Sequence, residues 1–247
     1  MMLIMNKVLL ILSLLYIPAL YAEVIEFPEE ELAQESVLPI FDRVEVVKSR
    51  NVPTSERFEF GGGFGLNLTE ALYDNKSINI HGTYNFTNLH AINFIYIYPF
   101  EGLSNMGNDL ANGKGLAANQ EFDPSLAPYP ESYMMLNYQI TAYYGKISLS
   151  KKFVMNVSLY GLAGLMNVTF SDSSSVGAVV GMGQKFYFNR NFGLRFDLLG
   201  MMYQGPDATS APNGLDPDLV KSQVSSSSLD ETLFFRTFFN FGLVYLL

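Results

Sequence analysis

The sequence predicts an all-β protein: an eight-stranded antiparallel transmembrane β-barrel behind a short N-terminal periplasmic segment. Three observations carry that expectation. Apolar and polar residues alternate with period two from Arg57 almost to the C-terminus, which puts one set on each face of a strand. After residue 22 no apolar run approaches 18 residues, so a mature chain that enters a membrane must cross it with strands. Finally, the breaks near residues 88, 151 and 190 are tight and those near 115 and 218 are long. Outer-membrane barrels pair short periplasmic turns with longer external loops in this way.

Composition agrees. The 247 residues suffice for one domain, and 20 Phe and 15 Tyr without any Trp suit strands and membrane-interface girdles. Without Cys the chain has no disulfides, thiolate metal sites or lipid-modified N-terminal cysteine. A net charge of −9, with no basic cluster larger than Lys151-Lys152, argues against nucleic acid as a partner.

Residues 1–22 read as a signal peptide. Lys7 is the only charge, Val8 to Ile17 is apolar or small, and Pro18-Ala19-Leu20-Tyr21-Ala22 supplies a break and a small residue at the cut. Residues 23–55 form an acidic periplasmic segment. Pro28 followed by Glu29, Glu30 and Glu31 suits a helix first turn, and the segment is expected to cover the barrel floor or touch a partner.

The barrel occupies residues 56–247. In the first strand Phe58, Phe60, Phe64, Leu66 and Leu68 share the outer face, and Glu59, Gly61, Gly63, Gly65 and Asn67 the inner. Glycines crowd inward because a narrow barrel leaves little room. Gly61-Gly62-Gly63 is no phosphate loop, since neither Lys-Ser/Thr nor a helix pattern follows.

The second strand sets Ile78, Ile80 and Tyr84 against Asn79, His81, Thr83 and Asn85, and the third sets Ile92, Phe94, Tyr96 and Tyr98 against Asn93. A long loop from Glu101 to about Glu131 precedes a fourth strand with Asn137, Gln139 and Thr141 inward. The fifth spans Phe153 to Phe170 with Asn156, Ser158 and Tyr160 on one face. The sixth covers Val176 to Phe188, the seventh Phe192 to Tyr203, and a second long loop runs from Gly205 to Asp230. The last strand begins at Glu231 and is expected to pair antiparallel with the first to close the sheet.

Charges on the strands must avoid lipid, where Arg or Lys at the midplane costs roughly 2–4 kcal/mol. Glu59, Lys185 and Arg195 are therefore expected to meet near the periplasmic end of the lumen, with Arg236 higher and beside Asp197. Such a cluster plugs an eight-stranded barrel more readily than it gates one, because side chains alone fill that bore.

Val44-Glu45-Val46-Val47, Pro53, Arg57-Phe58-Glu59-Phe60 and the Gly-rich first strand, with Tyr144-Gly145-Lys146 further on, carry a resemblance. Over about residues 44–160 the chain resembles the small outer membrane β-barrel domain family of myxobacteria and Bdellovibrio-like predatory bacteria. It departs at the first periplasmic turn, where Asn88-Leu89-His90 stands in place of an acidic residue. The resemblance implies a Gram-negative outer-membrane location and supplies no catalytic residues, while the alternation of tight turns and long loops puts both termini in the periplasm. It also implies that Phe239, Phe241, Leu243, Tyr245 and Leu247 form the signal read by the outer-membrane insertion machinery.

The expected function is a structural or surface-interaction role in outer-membrane lipid, without an open pore in the monomer. The alternatives are a homo-oligomeric pore or ring assembly, or a lipid-modifying enzyme. The enzyme reading is disfavoured because His81 and His90, the two histidines, lack an evident Ser-Asp arrangement. No cofactor or metal is expected: Asn108-Asp109 and Asp216-Pro217-Asp218 lack the acidic spacing of a calcium loop.

Overall fold

Eight strands form because the alternation is sustained: β1 (Arg57–Asn67), β2 (Lys76–Asn85), β3 (His90–Pro99), β4 (Pro130–Ser150), β5 (Phe153–Phe170), β6 (Ser174–Tyr187), β7 (Phe192–Pro206) and β8 (Glu231–Leu246). In this computed structural model the described residues are 50–116, 122–150, 153–210, 215–216 and 222–247. The chain divides into two units, Met1–Lys48 and Ser49–Leu247. The expected signal peptide, and the acidic segment as far as residue 49, lie outside the described residues.

Each strand pairs antiparallel with the next, and β8 returns to β1, so the sheet is a closed barrel. At the closing seam Glu59 faces Leu246, Gly63 faces Gly242 and Asn67 faces Phe238. Closure leaves no unpaired edge, the condition for a sheet in hydrocarbon.

One feature of β4 departs from simple alternation. The register shifts between Thr141 and Tyr143, a bulge that resets which residues face inward. Tyr133, Met135, Asn137 and Gln139 are buried before it. Beyond it Tyr144 turns in, its hydroxyl donating to Asn156 Oδ1 at 3.1 Å.

The outer wall is apolar. Phe60, Phe64, Ile80, Leu136, Leu165, Val180 and Leu243 are exposed on six of the strands. A contiguous surface of this kind is an aggregation liability in water and the required surface in a bilayer. Aromatic rings gather at the end with the tight turns: Phe58 lies 4.6 Å from Tyr84, Tyr84 lies 5.2 Å from Phe86, and Phe188 lies 6.2 Å from Phe192. This is a transmembrane barrel.

Loops at the other end build a small core of their own. Helix α1 (Asn105–Ala111) is capped by Ser104, whose side chain accepts from the Gly107 amide. Phe122, Ala127, Ala208, Leu215 and Leu229 are buried together, with Leu72, Leu110 and Leu126 packed against them. The two long loops are thus joined into one cap.

Asp172 ties the short β5–β6 turn to the same cap. It accepts from the Ser226 hydroxyl, from the Ser226 amide at 2.7 Å and from the Ser225 hydroxyl at 2.9 Å. These donors, the Ser226 hydroxyl first, hold its carboxyl below the usual range. A lowered folded-state pKa means that this tie is complete at neutral pH and fades as pH falls through the carboxyl's own range. Protection of the Ser226 amide relative to its intrinsic exchange rate is expected to fall in Asp172→Asn and, in the unchanged chain, on acidification; protection that ignores both changes contradicts the tie.

Candidate functional site

The barrel interior is layered. At the end bearing the tight turns, residues 50–56 form a strap across the mouth. Val52 is 1% exposed and packs with Tyr187, Val244 and Leu246. Asn88 receives this strap: its Oδ1 accepts the Thr54 amide at 3.0 Å and the Ser55 amide at 3.2 Å, and its carbonyl accepts Arg50 Nη1 at 2.7 Å. The Arg50 guanidinium also sits 4.7 Å over the Tyr144 ring. Glu56, at φ 59°, turns the corner into β1, and Arg57 Nε donates to the Leu247 carbonyl at 2.5 Å. Residues 50–55 are the described end of the acidic segment; its remainder lies outside the described residues. Asn88 is the group that binds the strap. Asn88→Ala is expected to raise protease cutting within residues 50–56 several-fold while leaving the barrel core resistant; unchanged cutting overturns the assignment.

Above the strap lies a charged layer. Glu59 is fully buried and pairs with Lys185. Glu59 Oε1 also accepts from the Tyr187 hydroxyl and from Asn85 Nδ2, each at 3.1 Å. Beside this pair, Arg195 Nε meets Asp197 Oδ2 at 2.7 Å, and Asp197 Oδ1 accepts from the Tyr160 hydroxyl. The two pairs share one ring: Lys185 Nζ and the Arg195 guanidinium lie 5.0 and 5.4 Å from the Tyr160 centroid. Lys185 and Arg195 are also cross-strand neighbours, so carboxylates on both sides offset their repulsion. Arg195 Nη2 reaches Asn93 Oδ1 at 3.4 Å, and Asn93 donates to Thr83 Oγ1 at 2.6 Å.

Glu59, Lys185, Arg195 and Asp197 therefore stand together. Arg236 does not join them, and its expected pairing with Asp197 is corrected: Asp197 is bound by Arg195 two residues away. Arg236 instead meets Glu70 at 3.1 Å, near the cap, and donates from Nη1 to the Thr69 carbonyl at 2.9 Å. Glu70 lies in the β1–β2 loop, outside any alternating stretch. Strand periodicity gives no signal for it.

Between the charged layer and the Arg236–Glu70 pair the lumen is apolar on the side of β3 to β8, while β2 sets His81 and Asn79 level with Ile95 and Ile97. Ile95, Ile97, Met135, Leu162, Val179, Leu199, Met201 and Phe238 are all buried there, topped by Tyr133, Tyr203 and Phe170. The ring of Tyr133 meets Phe238 at 5.1 Å, edge to face.

The two histidines lie in separate settings. His90 Nδ1 is 2.9 Å from the Tyr138 hydroxyl, on the outer side of the wall. His81 points into the lumen against Gly61, and a Cβ at Gly61 would overlap its ring. Neither contact includes a carboxylate. Among the described residues no cluster of three or more His, Asp or Glu is arranged to hold a metal ion.

No family model matches the chain, and no curated protein does. Among solved structures, the chain is similar to the N-terminal β-barrel domain of Pseudomonas aeruginosa OprF, with 8% identity and a TM-score of 0.41 over 78% of this chain and 98% of that one. It is likewise similar to the outer membrane protein OprG from Pseudomonas aeruginosa, with 10% identity and a TM-score of 0.40 over 81% and 99%.

Proposed function

We propose that the chain is an integral outer-membrane protein whose barrel serves as a closed anchor and whose loop cap is the working surface. The filled interior is the observation that carries this reading. A strap, a four-charge layer and an apolar layer follow one another along the bore, so a solute would have to displace all three. A bore of eight strands is only wide enough for side chains. The apolar outer wall supports lipid as the surroundings, and β-barrels of this type belong to outer membranes.

In this reading the tight turns and both chain ends face the periplasm, and the cap formed by the two long loops faces outward. The alternating Phe239, Phe241, Leu243, Tyr245 and Leu247 present a regular outer face on β8, which suits recognition by the insertion machinery before closure. Of these, Phe241, Leu243, Tyr245 and Leu247 are exposed, as such recognition requires.

The absence of Cys makes a direct test simple. Single cysteines at Ser227, in the cap, and at Asn189, in the β6–β7 turn, would be offered a membrane-impermeant maleimide on intact cells. Labelling of Ser227→Cys alone is expected, with both becoming reactive after the outer membrane is breached. Labelling of Asn189→Cys alone would invert the barrel, and recovery of the protein away from the outer-membrane fraction would refute the location.

A further inference from the structure

Beneath the cap, a cavity of about 290 Å³ opens between the loops and the apolar lumen layer. Its floor is aromatic: Phe170 and Tyr203 are both buried and belong to the packed layer below, and Phe234 leans on them. The cavity is therefore a blind pocket, with packed side chains where a channel would continue. Its size falls at the lower limit of small-molecule sites, which are mostly apolar with a few placed polar groups.

Three charges line it. Glu70 and Arg236 neutralise each other, and Glu70 Oε1 is further occupied by the Ala71 and Leu72 amides, each at 3.1 Å. Asp207 is different. It accepts from the Thr209 amide at 2.9 Å, the Thr209 hydroxyl at 2.7 Å and the Thr232 hydroxyl at 3.3 Å, all neutral donors. The charged lining thus carries an excess negative charge, on Asp207, beside apolar walls.

We propose that this cavity is a binding site for a small, predominantly apolar molecule with an uncharged or cationic polar end, and that it discriminates against anionic analogues. An aromatic or aliphatic body would lie against Phe170, Tyr203 and Phe234. A hydroxyl or ammonium end would face Asp207. A carboxylate end would meet Asp207 as a like charge within a few ångströms and in partly desolvated surroundings, where repulsion is strong. The proposal gives a ligand class to the surface role proposed above. It needs the pocket but not the orientation of the barrel, so maleimide labelling and ligand binding can fail independently.

The chain has no Trp, so one introduced indole reports on one place. Met106 lines the cavity and is exposed, and Leu89 is exposed at the opposite end of the barrel. Met106→Trp and Leu89→Trp proteins in lipid nanodiscs would be titrated with 4-bromobenzyl alcohol, 4-bromobenzylammonium and 4-bromobenzoate, whose bromine quenches indole emission. Saturable quenching of the Met106→Trp reporter is expected from the alcohol and the ammonium, with the benzoate about tenfold weaker or more. Adding Ala71→Phe, a larger side chain on the cavity wall, should abolish the saturable part while the folded band on a gel persists. Equal quenching of both reporters would mean partition into lipid and would overturn the site. Quenching that survives Ala71→Phe would overturn it as well, and a benzoate as effective as the alcohol would overturn the charge selection.

Discussion

Glu59→Gln is expected to cost the barrel about 3–5 kcal/mol, the range for breaking a buried ion pair by removing one partner. The loss has a definite source. Lys185 is 2% exposed, and without the Glu59 carboxylate its ammonium stays buried beside the Arg195 guanidinium. The Tyr187 and Asn85 donors lose their charged acceptor in the same step. Lys185→Met should be similarly costly because it leaves the carboxylate buried with only neutral donors. The double variant Glu59→Gln/Lys185→Met should recover much of either loss, since it deletes both charges together. Urea titration followed by heat-modifiable gel mobility reads all three. Strictly additive losses would contradict the pair.

Gly63→Val should prevent the barrel from closing. A Cβ at Gly63 would overlap the Phe241 carbonyl oxygen and the Gly242 Cα across the β1–β8 seam. These are backbone atoms, so no rotamer change makes room. Gly242 reciprocates, because a Cβ there would run into the Gly62 carbonyl. Two facing glycines therefore let the first and last strands come together. Gly82→Ala is the control: its nearest neighbour would be a Phe60 ring carbon at 3.7 Å, ordinary contact on the outer wall. The fast-migrating folded band should vanish for Gly63→Val and persist for Gly82→Ala. Folding of both would show that the seam has slack.

Much of this architecture is legible in the sequence because a strand repeats every two residues and a barrel has a different solvent on each side. Glu59, Lys185, Arg195 and Asp197 occupy inward positions that follow from counting, as do Asn79, His81 and Asn93. The partner of Arg236 is not legible, because Glu70 sits in a loop whose path depends on its own turn hydrogen bonds. Tyr144 illustrates a second limit: a bulge near Thr141 shifts the alternation by one residue, and no Gly or Pro marks it. The apolar core of the cap was hidden for a related reason. Leu72, Leu110, Ala127 and Leu229 come from segments far apart in the chain, and no period links them.

Ionic current through the folded protein in a planar bilayer tests the central claim most directly. Protein first shown to give the heat-modifiable folded band should insert without conductance steps, because the strap, the charged layer and the apolar layer each occlude the bore. Reproducible single-channel steps from the monomer, persisting in a Phe238→Trp variant that further crowds the apolar layer, would contradict a closed interior.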